Sequence, residues 1–430
     1  MAVSRRSFVT SAALGLAGCG LTTASDSEAT TIVPAAARVR TVPAAPVGGH
    51  PELLLVGPGK QYPSLTLAGC RLQQKWTAAS GQSVPDPQPA HIIISPAEPG
   101  YYTNDSGSHS RRWPKMVGWP PYEGALYGPI VIEGEPGKPP PVLDTDGYGD
   151  GVLYYQTGLF ATGNFDATFR NLIFRGFRRQ DGIGNYAAVR LGQKLTTSVP
   201  MQSHVLFEDC EISQCDNAIM GGISGQSLTL RRVYLHDNGN GSGRCHNVYF
   251  GGGDVFTMDN CLSTRCTIGH LAKSRAAKTV ILNTRLLGRG GTESACLDVP
   301  DAGVLSITNA IMEKSPGTDA NWIVHYSGEN QDGNDIPFHV PSSVDIDGLV
   351  MVAPPRMINH PSWGEIVGFS NQSGAGDAVC GKGSFLVRPN AKNVKAYGLK
   401  PATVGLPCTF LPDPPKLDAA SPVKMVVASR

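Results

Sequence analysis

Charged and aromatic side chains are both scarce in this sequence. Asp, Glu, Lys and Arg make up 17% of it, and the signs nearly cancel to a formal charge of +1. Without a basic field there is nothing to hold a nucleic-acid backbone, and without an acidic one nothing to gather cations in bulk. No nucleic-acid partner is expected. Long apolar runs are missing too: the stretch from Phe8 to Gly18 is too short to span a bilayer. What is plentiful is glycine, 51 residues, and proline, 34, the formers of turns. With 41% hydrophobic residues spread over 430 positions, the chain can bury one or two large cores as a soluble globular protein.

The first residues read as an address. Ser4-Arg-Arg-Ser-Phe-Val9 resembles a twin-arginine export motif, and Leu16-Ala-Gly-Cys19 resembles a bacterial lipobox. On that resemblance residues 1–18 are a cleaved signal peptide, Cys19 is lipidated, and the protein is exported as an outer-membrane lipoprotein facing the periplasm or the cell surface. Gly20 stands where an Asp would hold it at the inner membrane. Residues 19–50, rich in Ala, Thr, Ser, Pro and Val, suit a flexible tether. Nine further cysteines follow: Cys70, Cys210, Cys215, Cys245, Cys261, Cys266, Cys296, Cys380 and Cys408. An odd number leaves one thiol unpaired in a monomer, the expected state. The Cys-x4-Cys pairs at 210/215 and 261/266 are wider than zinc spacing, so disulfides or buried thiols are expected and a metal is not.

The middle of the chain repeats itself. ATFRNLIF (167–174), VLFEDCEI (205–212), LTLRRVYL (228–235), FTMDNCLS (256–263), VILNTRLL (280–287), LSITNAIM (305–312) and VDIDGLVM (344–351) each read as two short strands hinged at a polar pair. Their third residues recur at steps of roughly 23 to 39, the period of a solenoid. Asn171, Asp209, Asn260 and Asn309 share the hinge position, and Asn or Asp tolerates the left-handed conformation that a bend requires. A further strand follows each unit, as in NAIMGG (217–222), HNVYFGG (246–252), GHLAKSR (269–275), SACLDVP (294–300), NWIVHYS (321–327) and GEIVGFS (364–370). Three short strands per coil, with no amphipathic helix between them, predict an all-β fold, a right-handed parallel β-helix. The solenoid is expected over residues 51–390, with an N-terminal cap and a Pro-rich tail, 391–430, packed along it.

Upstream, LLLVGPGKQYPSLTLAGC (53–70) and HIIISPAEPGYY (91–102) resemble the opening coils of pectate-lyase-like proteins. The chain as a whole is similar to bacterial right-handed β-helix repeat proteins of that superfamily, which implies a carbohydrate-active protein.

Aligning the further strands gives a column of Gly221, Gly251, Lys273, Asp298, His325 and Gly368, beside an apolar column of Met220, Phe250, Ala272, Leu297, Val324 and Val367. Alternation sends one column inward, and burying unpaired charge costs several kcal/mol, so the charged column is expected to face a solvated groove. Arg275 points the same way. The same phase turns Leu271, Cys296 and Ile323 outward and His270 and Glu365 inward. Tyr249 shares the outer face, with Arg244 and His246 just ahead of it.

For an acidic polysaccharide, β-elimination needs a cation at the uronate carboxylate, a base for the C5 proton and an acid for the leaving oxygen. The expected roles are Arg275 on the carboxylate, Lys273 as base, His325 or Tyr249 as proton donor and Asp298 orienting Lys273, with Tyr249, His246 and Arg244 binding substrate. Lys273-Ser274 resembles the Lys-Ser of β-helical alginate lyases and chondroitinase B, but Cys296-Leu-Asp-Val-Pro300 stands in place of their Arg-His-Gly. Cys266 and Ile268 replace their calcium-binding acids. A non-catalytic glycan-binding or exopolysaccharide-organising surface protein is the alternative. A glycosidase built on Asp298 with Asp301 or Glu329 is the third reading. Asp144-Thr-Asp-Gly-Tyr-Gly-Asp150 lacks the acid at its twelfth position that an EF-hand needs, which leaves a turn, with room for a Ca²⁺ that bridges substrate and groove.

Overall fold

Ten strands of the chain begin with a residue pattern that puts every second side chain on one face, and stacking them gives a continuous apolar column. Leu54, Ile92, Ile132, Phe169, Phe207, Leu230, Met258, Ile281, Ile307 and Ile346 lie in register on successive parallel strands and are all fully buried. Each such side chain contributes about 1.5–3 kcal/mol of burial. Phe169 and Phe207 stack with centroids 4.7 Å apart.

This is seen in a computed structural model that describes residues 51–72 (except 64, 66 and 70), 89–96, 125–126, 129–144, 158–178 (except 164), 186–192, 202–318, 322–326, 339–354, 367–369, 378–380, 385–387, 390–399 and 407–411. Two parallel sheets carry the fold, one of nineteen strands and one of nine. The nine-stranded sheet runs through Ala187–Leu191, Asn217–Gly221, Val248–Phe250, His270–Ser274, Ala295–Val299, Trp322–Tyr326 and Val367–Phe369. The chain is a parallel β-helix, and the core lies between the two sheets. Among the described residues no helix is long and apolar enough to cross a membrane.

The hinge ladder has its expected conformation. Asn171, Asp209, Asn260 and Asn309 all have φ between 51° and 56°, and Arg232, Asn283 and Asn393 join them. The sequence alignment slips by one residue in a single coil: Met258 pairs with Ile281, not Leu282, so the hinge there is Asn283 rather than Thr284. Replacing Asn260 by Ala is expected to cost about 1 kcal/mol, because alanine keeps the β-carbon but loses the short polar side chain whose local hydrogen bonding lets Asn occupy the left-handed region, while Gly should be tolerated. Thermal unfolding of the two variants checks this.

At the N-terminal end, residues 65–72 are helical where described, and Leu65, Ala68 and Leu72 seat one face on the first coil's core. That is the cap an open solenoid end requires. At the other end the ladder passes the expected boundary at 390. Asn390–Lys392 and Lys395–Tyr397 pair with His339–Val352, and Thr409–Leu411 pairs with Lys395–Tyr397. The first part of the tail is therefore another rung of the sheet.

Cys210, Cys215, Cys245, Cys261, Cys266 and Cys296 are buried free thiols. Burial pushes Cys210, Cys215 and Cys261 up to about 12, so they pack as small apolar groups. Among the described residues no group of three or more ligands could hold a metal. Cys19 and the rest of residues 1–50, most of the Asp144–Asp150 loop, Glu329 and Glu365 lie outside the described residues.

Candidate functional site

The nine-stranded sheet sets the register of the charged column. Lys273 pairs with Asp298, Asp298 with His325 and His325 with Gly368, as the alignment expected. In the preceding coils the column is Met220 and Tyr249, not Gly221 and Gly251. Tyr249 thus lies directly beneath Lys273, whose ammonium sits 5.9 Å from the ring centroid.

Ala272, Leu297 and Val324 belong to the core, so the column does face away from it. Yet it is no solvated groove. Lys273 is 8% exposed, His325 2% and Asp298 1%. The expectation that the charged column faces a solvated groove is overturned, because outward from the core here does not mean into water.

Strict alternation also fails at one rung. Leu271 and Ala272, Cys296 and Leu297, Ile323 and Val324 are all core residues, and the ladder omits the 271/296 and 296/323 pairs. Two inward residues in succession put His270 and Lys273, three apart, on the same side. In a regular strand they would face opposite ways. His270, expected inward, is therefore part of the site.

Asp298 is the hub. His325 Nδ1 donates to Oδ1 at 2.7 Å, while Lys273 Nζ lies 2.7 Å and His270 Nε2 3.2 Å from Oδ2. Oδ2 is matched by charge rather than by an aligned hydrogen bond. Burial would raise the Asp298 pKa, but His270, Lys273 and His325 together hold it well below the usual carboxylate range. An anion this close keeps Lys273 in its charged form. This neighbour weighs against the expected role of Lys273 as a base.

Rings complete the cluster. His246 and His270 stack at 4.8 Å with planes 5° apart, His246 meets Tyr249 edge-on at 5.4 Å, and Trp322 stacks on His325 at 4.2 Å. Tyr249 and Trp322 are partly exposed and form the cluster's outer wall. The chain holds His246 firmly: its backbone N–H donates to the buried Asn217 Oδ1 at 2.8 Å. The adjacent Asn247 turns inward and donates to Ser263 Oγ at 2.8 Å and the Thr264 carbonyl at 2.9 Å. Gly269 passes so close to the Cys245 carbonyl that a β-carbon would lie 1.9 Å from it. Only glycine delivers His270 here.

Arg275 Nε donates to the Tyr249 hydroxyl at 3.1 Å, and its guanidinium pairs with Asp301. Burial raises the Asp301 pKa against the pull of Arg275. Arg244 is exposed, and its backbone N–H donates to Ser242 Oγ at 3.2 Å. His270 and Trp322 are the members that sequence reasoning did not place here, whereas Asp301 was named beside Asp298 in the glycosidase reading. Their signal lay within the aligned strands, but it was hidden by the assumption of unbroken alternation.

A groove of about 420 Å³ lies elsewhere, along the hinge ladder, lined by Arg231, Arg232, Asp259, Asn260, Asn283, Arg285, Asn309 and Ile311. Arg232 is committed to Asp209 and Glu208, and Arg231 lies near Glu208 and Asp259. Chemically versatile groups converge instead at Asp298. Compared with family models, curated proteins and solved structures, the chain matches none.

Proposed function

We propose that this is an exported, lipid-anchored, carbohydrate-active protein, a polysaccharide lyase that cleaves an acidic glycan by β-elimination at the Asp298 cluster. The observation that carries this reading is the column Tyr249, Lys273, Asp298 and His325 with Arg275 alongside. It joins two cations, a phenol and imidazoles within one partly walled site. Lys273 and Arg275 would neutralise the uronate carboxylate, which acidifies C5. Tyr249 would protonate the leaving oxygen: its own oxygen accepts from Arg275, which leaves its proton to donate. Asp298 would orient Lys273 and Asp301 would orient Arg275.

The test is absorbance of 4,5-unsaturated uronate on a panel of acidic glycans. Arg275→Ala is expected to raise KM by about tenfold or more, since a charge-assisted bond contributes about 1.5–3 kcal/mol. A panel that gives no product with the wild type removes the lyase reading.

One observation favours a second reading, a non-catalytic glycan-binding surface protein: both cations already have internal anions, Asp298 and Asp301. Binding of a glycan without product would select it.

A further inference from the structure

The geometry points to His270 as the proton acceptor of this site, held as a neutral imidazole with its proton on Nε2 and its Nδ1 lone pair open. The inference rests on the lyase reading for its chemistry but not for its protonation state.

Each neighbour constrains the ring. Asp298 on the next coil faces Nε2 at 3.2 Å. Two lone pairs at that distance would repel, so the proton is on Nε2. On the preceding coil His246 Nδ1 lies 3.0 Å from the His270 backbone nitrogen and must accept its N–H, so His246 too carries its proton on Nε2. The two rings are stacked and buried. Nδ1 of His270 is enclosed and has no hydrogen-bond partner. A buried polar atom left unpaired is destabilising, which a purely structural histidine would avoid.

Charge balance gives the protonation state. Lys273 already neutralises Asp298. A proton on His270 would add a second buried cation beside Lys273, with His325 on the following coil and Lys314 farther along the chain facing the same region. Burial pushes the His270 pKa down to about 3, although Asp298 opposes the shift. Burial also holds His246 well below the usual value, with His270 and Lys273 acting in the same direction. Both rings are neutral at physiological pH.

In the elimination, Nδ1 takes the C5 proton, the C5–H electron pair becomes the C4=C5 double bond and the C4–O bond breaks. The leaving oxygen takes the Tyr249 proton. His270 then returns its proton to water and Tyr249 regains one. Asp298 faces the imidazolium formed in the first step, which favours that step.

Nitrogen-15 spectra of histidine-labelled protein test this, with His270→Gln assigning the resonance. The expected spectrum has a proton on Nε2 of His270 and none on Nδ1 from pH 8 down to pH 5. A proton on Nδ1, or a second proton gained above pH 5, overturns the proposal. On any glycan that the wild type cleaves, His270→Gln should lower kcat by about 10²- to 10⁴-fold with KM little changed, because glutamine keeps a donor toward Asp298 but has no basic nitrogen. Unchanged kcat also overturns it. If no glycan yields an unsaturated product, the lyase reading falls, and the spectrum still upholds or overturns the open Nδ1.

Discussion

Asp298→Ala is expected to lose about 3–5 kcal/mol of stability and all turnover. The carboxylate is 1% exposed and sits between Lys273, His270 and His325. Removing it leaves the Lys273 ammonium buried without its anion, which is the costly way to break a buried ion pair. Removing both members is different: apolar replacement of a buried pair is often neutral or stabilising. Lys273→Met combined with Asp298→Leu should therefore recover most of the stability while turnover stays lost. Urea unfolding of the two single variants and the double variant measures the coupling. Additive single effects would show that the pair does not act as a unit.

Lys314→Met is expected to destabilise by a similar amount, about 3–5 kcal/mol, through a second buried ion pair. Lys314 and Glu293 are both fully buried, with Nζ 3.7 Å from Oε1. Lys314 also donates to the Glu293 and Ser294 carbonyls at 2.8 and 2.9 Å, fixing the turn that leads into Ala295–Val299 and so the position of Asp298. Glu293 Oε1 accepts the Ser315 N–H at 2.7 Å, and Oε2 has no hydrogen-bond partner. Burial raises the Glu293 pKa, and Lys314 opposes the rise. A raised folded pKa means that the group's contribution is full below the unfolded value and is lost as pH rises through the folded one. Without Lys314 the rise is larger. The deficit of Lys314→Met should thus be smallest at acid pH, where Glu293 is protonated, and should grow toward neutrality. Urea midpoints at pH 4.5 and 7.5 check the sign, and a deficit independent of pH would show that the charge on Glu293 is not the cause.

Several features were legible in the sequence alone. The repeat of short β-prone segments determined the stacked parallel coils, because no other arrangement buries an apolar face that recurs at this spacing. Asn171, Asp209, Asn260 and Asn309 marked the hinge, since few residues accept a positive φ. Charges at Lys273, Asp298 and His325 beside apolar Ala272, Leu297 and Val324 determined which column faces away from the core.

Tertiary structure decided the rest. Sequence alternation contains no information on where a strand departs from period two, so the inward pairs Leu271/Ala272 and Cys296/Leu297, and with them the placement of His270, emerged only from the folded coil. Register between coils depends on loop lengths that composition does not encode, which is why Tyr249 rather than Gly251 lies beneath Lys273. Burial of the outward face depends on what packs over it, and no local pattern in a strand records that. The electrostatic surroundings of Lys273 are set by a carboxylate 2.7 Å away on the next coil, 25 residues along the chain, because electrostatics depends on distance in space and not on separation in sequence.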